Sequence, residues 1–421
     1  MIKNRHILLV LMLALLSGVA MAQNNTNSPY TRYGFGQLTD PGSANSKAMG
    51  GVAYGLRDKA QVNFANPASY SAVDSLTFIF DGGLALQNTN FSNGAVKLNA
   101  RNSSVDYITM MFRASKWCGI SMGLLPYSNV GYNFSEYQKN ETDVNNSTLV
   151  SYMGDGGLHQ VYFGAGIKVL NNLSIGANLS YFWGDITRSR SQSFVLNTSA
   201  NGLTTTTNTS ISSYKLDLGL QYTQKIAEKQ ELTLGAVFSP GHDLSNETYV
   251  QDMLSSGTGS SASITTRDTA VVFSLPTTIG VGLTYKYDNR LTISADYMVQ
   301  KWSEASYMSE KGVMCNRTRL SVGAEYQPNA LGRSYFSAVK YRVGAHYSKP
   351  YYKIDGVDAA KEYGVSFGFG LPLATSRSLI NLTAQYVRTS GQMNNFLNEN
   401  TLRICVGITF NEGWFFKSKV N

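Results

Sequence analysis

Charge is scarce in this 421-residue chain: Asp, Glu, Lys and Arg together make up 15% of it, against about 25% in soluble globular domains. Cysteine is scarcer still, with Cys118, Cys315 and Cys405 odd in number and far apart, which excludes a disulfide framework and allows one pair at most. Beyond the first residues the histidines are His159, His242 and His346, at no metal-ligand spacing, so no metal site is expected. The formal charge of +8 falls to +6 without Lys3 and Arg5, and no Lys/Arg block exists, so no nucleic-acid partner is expected. After residue 22 no run approaches 18 uncharged apolar residues, which excludes helical membrane spans. The glycine runs "YGFGQL" and "FGAGIKV" lead into no helix and are not phosphate cradles. Nothing marks a nucleophile, so neither enzyme chemistry nor a cofactor is expected.

What is present is neutral polarity and alternation. With 26 Tyr and 39 Gly, the chain carries its polarity on uncharged groups, as a surface meeting something less polar than water would. The start, "MIKNRHILLVLMLALLSGVAMAQ", pairs Lys3 and Arg5 with an apolar run from Ile7 to Leu16 and a small-residue site at Ala20-Met21-Ala22. It reads as a secretory signal, residues 1–22. From Ser75 onward period-2 patterning dominates. In "QVYFGAGIKV", Val161, Phe163, Ala165, Ile167 and Val169 share one face, and Gln160, Tyr162, Gly164, Gly166 and Lys168 the other. Segments such as "NLSIGANLSY", "TTIGVGLTYKY" and "TLRICVGITF" repeat the pattern, and together with weaker ones at 76–87, 103–114 and 117–132 they give about fourteen strands.

Three features decide what the apolar face meets. Connections alternate between long polar stretches (88–102, 133–157, 189–210 and 242–274) and tight turns such as "KYDNR", the asymmetry of outer-membrane barrels. The strands read as about 9–12 residues, enough to cross hydrocarbon when tilted. Gly164, Gly176, Gly219, Gly282, Gly323, Gly344, Gly364 and Gly368 lie on the polar face with Asp217, Asp296, Glu325, Arg342, His346 and Glu362, where a lumen would spare the charges a cost of about 2–4 kcal/mol at the lipid midplane. Tyr285, Tyr287, Tyr326, Tyr347 and Tyr386 fall near strand ends, as an interfacial girdle requires. The expected fold is all-β: a transmembrane antiparallel β-barrel of about 14 strands over 75–411, an N-terminal hatch at 23–74 inside the lumen, and a periplasmic tail at 412–421. An even strand count places both termini in the periplasm of a Gram-negative outer membrane. A barrel of that size encloses more space than its own side chains fill, and the irregular segment with Asn66-Pro67-Ala68 is available to stopper it.

"KAMGGVAYG" followed by "NFANPAS", then "LPTTIGVGLTYKYDNRLTISADYMVQKWSEAS", "RTRLSVGAEYQPN" and "VKYRVGAHYSKPYY", together resemble the FadL-type outer-membrane transporters of long-chain fatty acids and other hydrophobic compounds, over about 35–350. The resemblance implies a 14-stranded barrel whose hatch carries Gly50, Gly51, Arg57, Asn66, Pro67 and Ala68. It also implies capture of an apolar ligand by external loops, hatch movement, and sideways exit at a kinked third strand. On that strand, in "ISMGLLPYSNVGY", Pro126 either kinks the strand or marks its end. Candidate apolar linings are Leu124, Leu125, Pro126 and Tyr127 beside the kink, Tyr33 and Phe35 in the hatch, and Phe194, Val195, Leu196, Met253 and Leu254 in long connections. A fatty acid's carboxylate would want Arg57, Lys168, Arg319 or Arg342, with Arg57 otherwise expected to pair with a wall carboxylate. A sixteen-carbon chain gains about 12 kcal/mol on leaving water, so a relay of apolar sites would serve it where a watery pore would not.

Two departures from the pattern stand out. Gln23 to Ser28 precede Tyr30, so no ligand contact by the extreme N-terminus is carried over. "NEGWFFKSKVN" follows Phe410, leaving Phe410 or Phe416 as the signal for the barrel assembly machinery, and its "WFFK" is similar to barrels of the Bacteroidetes. The expected surroundings are outer-membrane lipid and lipopolysaccharide. An alternative remains: a FadL-like barrel serving a protein partner, such as a PorV-like component of a type IX secretion system.

Overall fold

The computed structural model describes residues 25–413 except 41, 94–96, 198, 256–261, 331, 333, 355, 374–377 and 392–396. The expected signal segment and Phe416 lie outside the described residues. Fourteen strands form the wall: β1 (Thr77–Ser92), β2 (Lys97–Arg113), β3 (Cys118–Gln138), β4 (Thr148–Lys168), β5 (Leu173–Phe194), β6 (Gly202–Ala227), β7 (Gln230–Ser239), β8 (Thr278–Tyr287), β9 (Leu291–Gln300), β10 (Arg317–Tyr326), β11 (Lys340–Ser348), β12 (Lys361–Pro372), β13 (Leu379–Ser390) and β14 (Asn398–Gly413). Each pairs antiparallel with the next, and β14 returns to β1 through Phe80↔Phe410 and its neighbours. Closure follows from the solvent: a sheet edge facing hydrocarbon would leave backbone groups unpaired.

The alternation turns out as expected. On β8, Val281 is 51% exposed on the outer face while Thr284 is 1% exposed on the inner. Leu320 and Val322 on β10, and Val365 and Phe367 on β12, continue the exposed apolar belt. A belt of that extent belongs against lipid. Tyr287, Tyr326 and Tyr386 are exposed at its margins.

The expected long connections are largely strand. Residues 88–92 and 97–102, most of 133–157, and 189–194 with 202–210 extend β1 to β6, whose lengths reach 26 residues in β6. At about 3.3 Å per residue, β6 is far longer than a bilayer needs, whereas β8 and β9, at 10 residues each, just cross it. Beyond the bilayer both faces of a strand meet water, so the apolar alternation stops while the ladder continues. There it is carried by hydroxyl pairs such as Ser189–Thr206 and Ser191–Thr204, each at 2.9 Å. Within 242–274 a hairpin, Asn246–Ser255 with Ala262–Asp268, adds to the upper part of β6.

The segment 25–74 packs against the inward faces. Cβ atoms placed on Gly166, Gly176 and Gly219 would overlap Asn66-Pro67, on Gly235 and Gly282 Tyr54-Gly55, and on Gly323 and Gly344 Met49-Gly50. These seven glycines form a ring of wall positions whose missing side chains admit another backbone, whereas Gly164 and Gly364 make room for the wall side chains of Asn178 and His346.

Candidate functional site

Asn66-Pro67-Ala68 starts a 3-10 helix, Pro67–Ala72. The Asn66 side-chain oxygen caps it by accepting from Ala68 N, and Nδ2 donates to Tyr54 O at 2.8 Å and Leu220 O at 3.2 Å. Proline fits at N1, where no N–H is needed. Asn66 and Ala68 are fully buried, so the motif docks a turn onto β4, β5 and β6. Gly50 has φ +73° and abuts Ala345 O and Val322 O; only glycine takes that backbone at that separation. Its N–H donates to Ser366 Oγ at 2.9 Å, and Gly51 lies against the Arg319 guanidinium.

Ion pairs fasten the same segment. Lys47 pairs with Asp106, both buried, and Asp40 with Arg317 and Arg319. Burial alone would raise the Asp40 carboxyl, but the Arg319 and Arg317 guanidiniums outweigh it and hold it well below the usual carboxylate range. Arg57 departs from expectation. Its guanidinium donates to the Gln221 amide oxygen at 3.1 Å and to Ser71 Oγ at 3.0 Å instead of a wall carboxylate. The amide serves because Gln221 itself bonds Tyr54 O and Leu56 O. Arg319 and Arg342 are likewise committed, Arg342 to Glu325 at 2.7 Å and Asn381 at 2.6 Å, and Lys168 is exposed beside a separate cavity of about 860 Å³ at the short-turn end.

Among the described residues the wall parts between β2 and β3. β3 pairs with β2 only from Gly119 to Leu124. Past that point both strands carry an extra residue, Asp106 on β2 and Tyr127 on β3, where their other ladders slip register. Bulges bend a strand, and these two flank the parting. Pro126 therefore lies within β3, beside the bulge, and does not end it. The vacated edge of β3 is taken by Gln37–Leu38, registered Gln37↔Asn129 and Leu38↔Ser128, with Thr39 N donating to Tyr127 O at 2.8 Å.

Behind that short strand lies a cavity of about 100 Å³, whose lining includes Leu38, Tyr54, Phe64, Leu125, Pro126 and Tyr127 together with the polar Asp106, Gln160, Ser180, Lys215, Asp217 and Arg317. Of the expected linings, Leu125, Pro126 and Tyr127 are brought to it. Leu124 is not: strand alternation turns it to the outer face, 38% exposed. Phe35 is buried in an aromatic cluster with Phe273, Trp302 and Tyr307, and Tyr33 stacks on Tyr352, both away from the cavity. Phe194 ends β5, and Val195 and Leu196 are exposed beyond it. Met253 and Leu254, adjacent on the hairpin, point to opposite faces, so they cannot line one pocket together. Leu38, Gln160 and Ser180 were not among the candidates. Gln160 does show its inward position by alternation, but the strand at Gln37–Leu38 is two residues long and has no period to read.

The chain matches the family model described as BamG over residues 1–421. It belongs to the BamG family. Among curated proteins no sequence match to the chain is found. Solved structures similar to this BamG-family chain include the Ralstonia pickettii toluene transporter TbuX, 16% identical, covering 88% of this chain and 98% of that one with a TM-score of 0.59. The Pseudomonas putida toluene transporter TodX is 15% identical over 90% and 100%, with a TM-score of 0.60. A Pseudomonas aeruginosa FadL homologue is 12% identical over 90% and 100%, with a TM-score of 0.58. At these identities the likeness establishes the fold: a closed 14-stranded barrel of the FadL type. The similar structures are of transporters and channels, not enzymes.

Proposed function

We propose that this BamG-family barrel sits in the outer membrane with both termini in the periplasm and takes up hydrophobic small molecules, which leave sideways through the parting between β2 and β3. The observation carrying this reading is the substitution of Gln37–Leu38 for β2 along the edge of β3, with a cavity directly behind it. The segment 23–74 acts as the hatch, and Gln37–Thr39 is the piece that moves. Release of those residues would open the cavity toward lipid without exposing an apolar ligand to water. TbuX and TodX are toluene transporters, which supports an apolar cargo on this fold.

Leu38 and Ser128 face one another across the short pairing. A Leu38→Cys/Ser128→Cys disulfide, in a chain with Cys118, Cys315 and Cys405 replaced by serine, is expected to cut uptake of radiolabelled toluene at least tenfold, with reductant restoring it. Uptake indifferent to the crosslink would remove this reading.

A protein-partner role is favoured by one different observation, the tall sheet of β3 to β6, the longest described strands, to which the hairpin of Asn246–Ser255 and Ala262–Asp268 adds. Co-purification of a stoichiometric protein lost on trimming that hairpin would support it.

A further inference from the structure

The lining of the cavity behind Gln37–Leu38 holds three buried acceptor atoms that nothing in the protein satisfies: Gln160 Oε1, Ser180 Oγ and Asp106 Oδ2. Their residues are at least nine-tenths buried, at 9%, 1% and 8% exposure. Native proteins rarely leave such atoms unpaired, and each is costly when nothing fills the role. They are also close in the fold. Ser180 faces Tyr162 across β4 and β5, two residues from Gln160 on the same inward face, and Asp106 is the bulged residue of β2 at the parting.

The chemistry of the set is one-sided. An amide oxygen and a carboxylate oxygen accept only, and a serine hydroxyl does either. What would complete them is a donor. The cations among the described lining residues are already paired in charge: Lys215 with Asp217, which also accepts from Ser239, and Arg317 with Asp40. Lys47, behind Asp106, balances that carboxylate. A ligand carboxylate would therefore meet two fixed acceptors and no unpaired positive charge, and a ligand ammonium would find no uncompensated negative charge. The lining also carries apolar side chains, Leu38, Phe64, Leu125, Tyr127 and Met298, with Leu125 directly beside Gln160 across the β3–β4 ladder.

We infer that the cavity selects a neutral amphiphile bearing a hydroxyl at one end, held by Gln160, Ser180 and Asp106, with its hydrocarbon against the apolar lining residues, in preference to a fatty acid anion or a bare hydrocarbon. This rests on the uptake reading above, because it assigns the ligand of the same route. The volume of about 100 Å³ is less than the 150 Å³ of an engineered cavity that holds benzene, so it accommodates the head and its first carbons, and the remaining chain leads toward the parting.

The experiment compares decan-1-ol, decanoate and decane on the purified full chain in detergent, with bound probe quantified by equilibrium dialysis and heat-resistant barrel mobility as the folding control. The expected result is decan-1-ol binding at least tenfold tighter than decanoate or decane. Gln160→Leu and, separately, the smaller change Ser180→Ala should each reduce the preference for decan-1-ol over decane. Decanoate or decane binding as well as the alcohol, or a preference indifferent to both variants, would overturn the inference and leave apolar uptake standing. Failure of all three probes to bind, with water alone completing the three acceptors in an experimental structure, would overturn both the inference and the cavity's place in the uptake reading.

Discussion

The two parts of the N-terminal segment are held in different ways. Residues 44–72 meet the wall backbone to backbone, at glycines whose missing side chains make the room, and are fastened by the buried Lys47–Asp106 pair. Residues 25–40 touch the wall backbone to backbone along Gly36–Thr39 and otherwise meet side chains near the loop end: Phe35 among Phe273, Trp302 and Tyr307, Tyr33 on Tyr352, and Tyr351 OH on Gly36 O. Backbone fitted into a glycine notch has no alternative arrangement, because any shift produces overlap. Aromatic faces tolerate several packings at similar energy. The contrast teaches where movement is cheap: 44–72 would stay as the fixed stopper while 25–40, including the Gln37–Leu38 pairing, exchanges.

The most damaging test of that contrast is Gly344→Val, whose side chain would occupy the place of Met49 and Gly50. Steady conductance in planar bilayers should appear where the parent is closed, while Val343→Leu, on the 56% exposed outer position, should behave as the parent. A closed, stable Gly344→Val barrel would mean the segment is not seated by the ring. Next in size, Lys47→Met leaves Asp106 buried and uncompensated, a loss of about 3–5 kcal/mol. Its thermal midpoint should fall, and Lys47→Met/Asp106→Leu should recover most of the drop.

A more moderate effect belongs to the other part. Replacing Pro126 by Val supplies an N–H and a regular strand residue beside the Tyr127 bulge, and uptake should slow several-fold with the thermal midpoint unchanged. A lowered midpoint with normal uptake would move the role of Pro126 from the route to the fold. The smallest effect is in pH. Burial raises the Asp58 carboxyl, but Lys340 and Lys286 outweigh this and bring it to about 2. Because that lies below the ordinary value of about 3.9, its stabilisation is fully present above pH ~4 and disappears as pH falls through about 2. The Asp58 side chain is 37% exposed, so screening keeps the contribution small. Asp58→Asn should slightly flatten the decline of the thermal midpoint over that window.

Much of the wall was legible from residue alternation. The inward and outward sets on β4 and β8 to β12 are those that period 2 assigns, and the strand number followed from counting them. The upper halves of β1 to β6 were not legible, since water on both faces removes the apolar signal and Ser/Thr ladders resemble loop composition. At the site, the Asn-Pro-Ala turn and Gly50 carried local signatures of backbone geometry. The lining of the cavity did not: Leu124 and Leu125 are neighbours of the same chemistry, and only their position on a pleated strand separates lipid from lumen.

By itself the sequence determined which side of each strand is oily, and that follows from a local constraint: every residue in hydrocarbon must be apolar and every backbone group paired along its own ladder. The tertiary structure alone decided where β2 and β3 part, that Gln37–Leu38 takes the vacated edge, and that the unpaired acceptors Gln160 Oε1, Ser180 Oγ and Asp106 Oδ2 line one cavity. Those facts depend on ring closure and on contacts between residues up to about a hundred positions apart, for which no local pattern exists.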